Sequence, residues 1–117
     1  LTFTGIIDRS ELVKYYNLAD LFLLPSFNEL FPMSILEGFN CGTPIMLRDL
    51  ELYHTIIEGD YIPTKDVVEM QEALSKIEAD RNLLEEYREK SRKAGVYYSE
   101  ENVSKIWYEY YNKYSKK

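Results

Sequence analysis

Residues 21–48 constrain the fold most. They read LFLLP, then the polar stretch SFNEL, then FPMSILEGFNCGT, then a second apolar run, PIMLR. The two apolar runs are short and read as buried strands. The segment between them opens a helix at Pro32, since proline has a preset φ and no amide hydrogen to lose, and closes it at Gly42 with Pro44 just beyond. Strand, loop, helix and strand on short connections make a parallel βαβ unit. Such units place ligands outside the carboxyl ends of their strands, where residues 26–31 fall.

The same reading along the chain predicts strands at 1–4, 21–25 and 44–48 and helices at 10–18 and 32–41. A short helix follows at 50–57 and an extended piece at 60–63. Residues 65–80 form an amphipathic helix with Val67, Met70, Ala73, Leu74 and Ile77 on its apolar side, and 82–97 another. Ser99 caps a final helix in which Val103, Trp107, Tyr110, Tyr111 and Tyr114 recur near helical spacing. The fold class is α/β, a Rossmann-like parallel sheet flanked by helices, with no internal repeat, low-complexity segment or linker.

Within the βαβ unit, Glu29 and Glu37 stand eight positions apart, one in the loop and one in the helix. Helical spacing puts Met33, Ser34, Glu37 and Cys41 on one side and Ile35, Leu36 and Phe39 on the other. The free amides of the first turn, near Met33 and Ser34, join the helix dipole to seat an anion such as a pyrophosphate. Further in, the Glu37 carboxylate can accept from a vicinal diol such as that of a ribose, while Glu29 can hold sugar hydroxyls. Gly38 leaves room where a ligand or neighbouring backbone comes close.

Other residues invite plainer readings. His54 is the lone histidine, with no paired carboxylate at metal spacing, and reads as a surface or partly packed residue. Cys41 reads as a small buried residue and not a nucleophile. The pairs Glu85 with Glu86 and Glu100 with Glu101 read as solvated helix faces. No acidic cluster suggests a metal, and no cofactor is expected.

The chain is 45% hydrophobic and 29% charged with a net charge of −6, which suits an α/β domain and argues against nucleic acid or anionic lipid as a partner of the whole surface. A single cysteine excludes an internal disulfide and suits a reducing compartment. No apolar run reaches the roughly 18 residues of a spanning helix, and nothing resembles a signal peptide.

ELFPMSILEG, with Glu29 and Glu37, and CGTP after it resemble the family 4 (group 1) retaining glycosyltransferases. So do FTGIIDRSELVKYYNLADLFLLPS upstream and YYSEENVSKIWYEYY downstream, so the resemblance covers nearly the whole chain. It implies a GT-B fold, in which two Rossmann-like domains face across a cleft. Residues 1–98 would then be the C-terminal part of the nucleotide-sugar-binding domain, and 99–117 its closing helix. It also implies site roles. Glu29 would be catalytic and contact the donor sugar, Glu37 would bind the ribose hydroxyls, and the amides of Phe31, Met33 and Ser34 would hold sugar and phosphates. Pro32 and Leu30 depart from the glycines frequent in the family, and Pro32 offers no amide to a ligand.

The reaction so implied moves a hexose from a nucleotide diphosphate, UDP-glucose or a similar donor, to an acceptor hydroxyl with retained configuration. At 117 residues the chain is too short for two domains and is expected to be an incomplete C-terminal domain, inactive alone. None of Arg9, Lys14 and Arg48 sits where the family places its phosphate clamp, and the acceptor, a sugar or a lipid, would bind mainly to a missing N-terminal domain. RDLELYHTIIEGDYI faintly resembles enzymes that build glycolipids, so the location is expected to be cytoplasmic, with peripheral contact at the inner face of a membrane. The aromatic stripe of the last helix, with Lys105, Lys113, Lys116 and Lys117, reads as packing surface left by the absent domain rather than a membrane anchor. Two other classes compete: a non-catalytic nucleotide-sugar-binding or scaffold domain, and a glycoside hydrolase using the glutamates as a pair.

Overall fold

The computed structural model describes residues 1–115, so Lys116 and Lys117, included above in the basic flank of the last helix, lie outside the described residues. The element order is α1 (Arg9–Leu18), β1 (Phe22–Leu24), α2 (Met33–Asn40), β2 (Ile45–Arg48), α3 (Tyr53–Ile56), β3 (Ile62–Thr64), α4 (Val67–Ala79), α5 (Asn82–Tyr97) and α6 (Glu100–Tyr114). The strands form one parallel sheet in the order β1-β2-β3, with Leu23 opposite Met46 and Leu47 opposite Pro63. This is the expected α/β fold with its parallel sheet flanked by helices.

The central strand, β2, explains its own sequence. Ile45 and Leu47 enter a cluster with Ile35 and Phe39 of α2, Tyr53 of α3 and Ala94 of α5. Met46, pointing the other way, joins Ile62, Met70, Ile77 and Leu84. A strand covered on both faces needs an unbroken apolar run, and Ile45, Met46 and Leu47 are all fully buried. Helix α2 lies close against α5, where a Cβ added at Gly95 would stand 2.6 Å from the Phe39 carbonyl oxygen. Beside that contact the rings of Phe39 and Tyr98 stack nearly parallel, 6.4 Å apart.

Three expectations need correction. Residues 1–4 are not a strand: among the described residues nothing pairs with the outer edge of β1, and Leu1 and Phe3 are exposed. An extended segment without a neighbour leaves its backbone groups to water. Pro32 is the N-cap of α2 and not its first helical residue, because its ψ of 101° is extended, and the helix is eight residues long instead of about ten. In α4 only a narrow stripe is covered. Met70 and Ile77 are buried and Ala73 is half-buried, but Val67 and Leu74 remain exposed because the neighbouring sheet and α5 do not reach around to them.

Helix α6 is capped as expected, with Ser99 Oγ accepting from the Asn102 amide at 3.3 Å. It buries no residue. Trp107, Tyr108, Tyr110, Tyr111 and Tyr114 are all exposed, and several of these rings pack on one another, Trp107 on Tyr111 at 5.7 Å and Tyr110 on Tyr114 at 4.8 Å. Among the described residues no helix is long and apolar enough to cross a membrane.

Candidate functional site

Helix α2 is fixed at its far end by backbone chemistry. Gly42 takes a φ of 67°, and its amide and that of Thr43 donate to the Phe39 and Gly38 carbonyls, each at 2.9 Å. That pair of bonds closes the helix on a left-handed residue, which glycine adopts without steric cost. The fully buried Thr43 hydroxyl donates to the Tyr16 carbonyl at 2.8 Å, tying α1 to the start of β2. Gly38 also has a definite role. A Cβ there would stand 3.1 Å from Ile45 Cδ1 and 3.8 Å from Tyr16 Cε1, so the space it leaves is filled by side chains of the sheet and α1 and not by a ligand or a backbone.

Glu37 faces α1. The Tyr16 hydroxyl donates to its Oε2 at 3.1 Å, and both line a cavity of about 200 Å³ with Arg9, Leu12, Asn40 and Cys41. Burial and the bond to Glu37 push the Tyr16 phenol up to about 12, so it stays a donor across the neutral range. Burial, and then the charge of Glu37, also raise the Cys41 thiol. A thiol kept protonated is a poor nucleophile. Cys41 is half-buried.

At the opposite end of α2 the first turn is open. Pro32 supplies no side-chain cap, and the amides of Met33 and Ser34 have no acceptor among the described residues. Met33 and Phe31 are exposed and Ser34 is half-buried. Uncapped amides on a helix N-terminus attract negative charge. Glu29 is half-buried and lines a separate opening of about 330 Å³ with Asn28, Leu30 and Phe31. Its charge reaches Tyr53, whose phenol is raised first by burial and then by Glu29. The Tyr53 hydroxyl is buried and has no hydrogen-bond partner among the described residues.

Sequence reasoning placed the carboxylates and the open turn but not their surroundings. Glu29 and Glu37 line different cavities. For Tyr16 the one local signal is its four-residue spacing from Leu12, which marks the inner face of α1. His54 is exposed, as expected, and its Nε2 lies 2.9 Å from Asp49 Oδ1, which also accepts from the Tyr61 hydroxyl at 2.9 Å. Burial and this bond to Asp49 push the Tyr61 phenol up. Spacing along the chain hid the pair because the turn after β2 folds back. Among the described residues no three His, Cys, Asp or Glu side chains gather as a metal site.

The site helix α2 therefore opens at the carboxyl edge of a parallel βαβ sheet, with Glu29 in the loop before it and Glu37 on its α1 side. Residues 1–94 match the group 1 glycosyl transferases, and the chain belongs to that family. Over 113 residues, 97% of the chain, it is 48% identical to an alpha-galactosylglucosyldiacylglycerol synthase of Streptococcus pneumoniae, covering 30% of that protein. It is 27% identical over 109 residues, 90% of the chain, to an N,N'-diacetylbacillosaminyl-diphospho-undecaprenol alpha-1,3-N-acetylgalactosaminyltransferase of Campylobacter jejuni, covering 29% of it. A serotype-specific mannosyltransferase of Escherichia coli is 28% identical over 75% of the chain and 11% of its own length. The chain thus spans under a third of the length of each of these relatives. No solved structure matches it.

Proposed function

We propose that the protein containing this chain is a retaining glycosyltransferase that moves a hexose from a nucleotide diphosphate sugar to an acceptor hydroxyl, and that this chain holds the donor. In this reading Glu37, steadied by the Tyr16 hydroxyl, takes the ribose diol, and the amides of Phe31, Met33 and Ser34 take phosphate and sugar oxygens. Glu29 faces the transferred hexose as the catalytic carboxylate. Departure of the nucleoside diphosphate is then assisted electrostatically by donors already in place. The observation that carries the reading is the bond that holds Glu37 in a cavity of its own, behind a helix start whose amides are unspent.

The acceptor we propose is a glycolipid, since the relative at 48% identity is named for making a glycosylated diacylglycerol. UDP-glucose and UDP-galactose are the donors to try first, at the cytoplasmic face of a membrane. The separate housing of Glu29 and Glu37 supports this reading over a retaining glycoside hydrolase, whose two carboxyl groups flank one bond about 5 Å apart. A non-catalytic sugar-nucleotide-binding domain would share the donor site and differ in lacking transfer.

The test is donor binding by the full-length protein, wild type against Glu37→Ala, across UDP-, GDP- and ADP-hexoses. One donor should bind tightly and lose at least about tenfold, or about 1.4 kcal/mol, on substitution. Binding indifferent to Glu37 would sink the ribose assignment. Binding without transfer to any glycolipid acceptor would favour the non-catalytic alternative.

A further inference from the structure

We propose that Arg48 is a positioning residue that fixes the loop carrying Glu29, residues 26–31, to the carboxyl edge of the sheet. The role rests on the donor-site reading above. Arg48 ends the central strand β2, and its guanidinium reaches the chain just past both neighbouring strands. Its Nε donates to the Pro25 carbonyl, one residue beyond β1, at 3.2 Å. Its Nη1 donates to the Lys65 carbonyl, one residue beyond β3, at 2.7 Å. The guanidinium carbon also stands 4.0 Å from the centroid of the Phe27 ring, inside the loop.

These contacts fit together chemically. The Pro25 and Lys65 carbonyls accept from no backbone amide among the described residues, so Arg48 satisfies acceptors that the sheet leaves over. Phe27 is 82% exposed, and a ring so placed gains little from burial. Stacking on a flat cation gives it a fixed seat. Among the described residues no carboxylate pairs with Arg48, so its planar fork is given to the two carbonyls and its face to the ring. Lysine cannot copy this, because one ammonium has neither the fork nor the face. With Pro25 and Phe27 held, residues 28–31 leave the sheet from a defined point, and they line the opening that contains Glu29.

The experiment compares wild type, Arg48→Met, Arg48→Lys and Phe27→Leu in the full-length protein, reading cleavage after Glu29 by a glutamate-specific protease without ligand and donor affinity for the UDP-, GDP- and ADP-hexoses. Arg48→Met should speed cleavage after Glu29 while the glutamates of α5 stay resistant, and should weaken donor binding about tenfold. Arg48→Lys should not restore either property, and Phe27→Leu should fall between wild type and Arg48→Met. Unchanged cleavage after Glu29 overturns the proposal, as does cleavage that quickens equally in α5, which would make Arg48 a general fold contact. A loosened loop with full affinity overturns the positioning role. If the wild type binds none of the three donors, the donor-site reading fails and takes that role with it, while the cleavage data still show whether Arg48 holds the loop.

Discussion

Helices α2 and α6 are both amphipathic by sequence, yet they meet opposite fates. In eight residues α2 buries Ile35, Gly38 and Phe39, while α6 buries nothing in fifteen. Helix α2 is the more apolar of the two, yet α6 still carries Val103, Ile106, Trp107 and four tyrosines, so composition alone does not account for the difference. It lies in what stands opposite. Helix α2 is a crossover between two paired strands, so its inner face is forced onto the sheet and α5. Helix α6 follows the last strand and touches α5 near its start, leaving its aromatic side to stack on itself. Periodicity shows that a helix has an apolar face, and topology decides whether anything covers it.

The largest expected effect is on the covered helix. Phe39→Ala empties a fully buried site between α2, α5 and β2 and should cost about 3–5 kcal/mol. Urea unfolding of the chain would measure it, and a loss under about 1 kcal/mol would mean that α2 is not locked as described.

A smaller effect sharpens the contrast between the two faces of α2. Tyr16→Phe removes the bond to Glu37 with little change in packing and should cost about 1 kcal/mol. It also has a pH signature. The folded state raises the Tyr16 pKa from 10.0 to about 12, so the stabilisation linked to its proton is complete below pH 10 and is lost as pH climbs towards 12. The Phe variant should therefore lose less stability than wild type across that alkaline window. Parallel pH profiles would show that the phenol does not titrate in this setting.

The smallest effect belongs to α6. Trp107→Ala should change the stability of the chain by no more than about 0.5 kcal/mol, because the ring is exposed and touches other exposed rings. A thermal melt checks this. A loss comparable to that of Phe39→Ala would erase the comparison, since it would require a covered α6 face.

Much of the fold was legible because strands and crossover helices carry strong local signals. The apolar LFLLP and PIMLR mark β1 and β2, and Gly42 and Pro44 mark the end of α2. Residues 1–4 misled because an apolar, β-branched run announces extended chain but cannot announce a pairing neighbour. Val67 and Leu74 misled for a related reason: helical spacing gives the direction of a face and not its covered width. At the candidate site the residue types and spacing singled out Glu29, Glu37 and the open turn at Met33 and Ser34. Tyr16, 21 positions from Glu37, and the Asp49–His54–Tyr61 cluster were invisible as partners because their contacts join different elements.

By itself the sequence determined a parallel α/β unit, the loop and helix that carry its two glutamates, and the family to which the chain belongs. Those follow from period, turn chemistry and motif, all local along the chain. Only the tertiary structure decided that Glu37 is held by Tyr16 and that Glu29 opens elsewhere. It likewise decided that Arg48 gathers the ends of three strands and that α6 stays bare. These depend on which distant surfaces meet, and that is set by packing the whole chain at once.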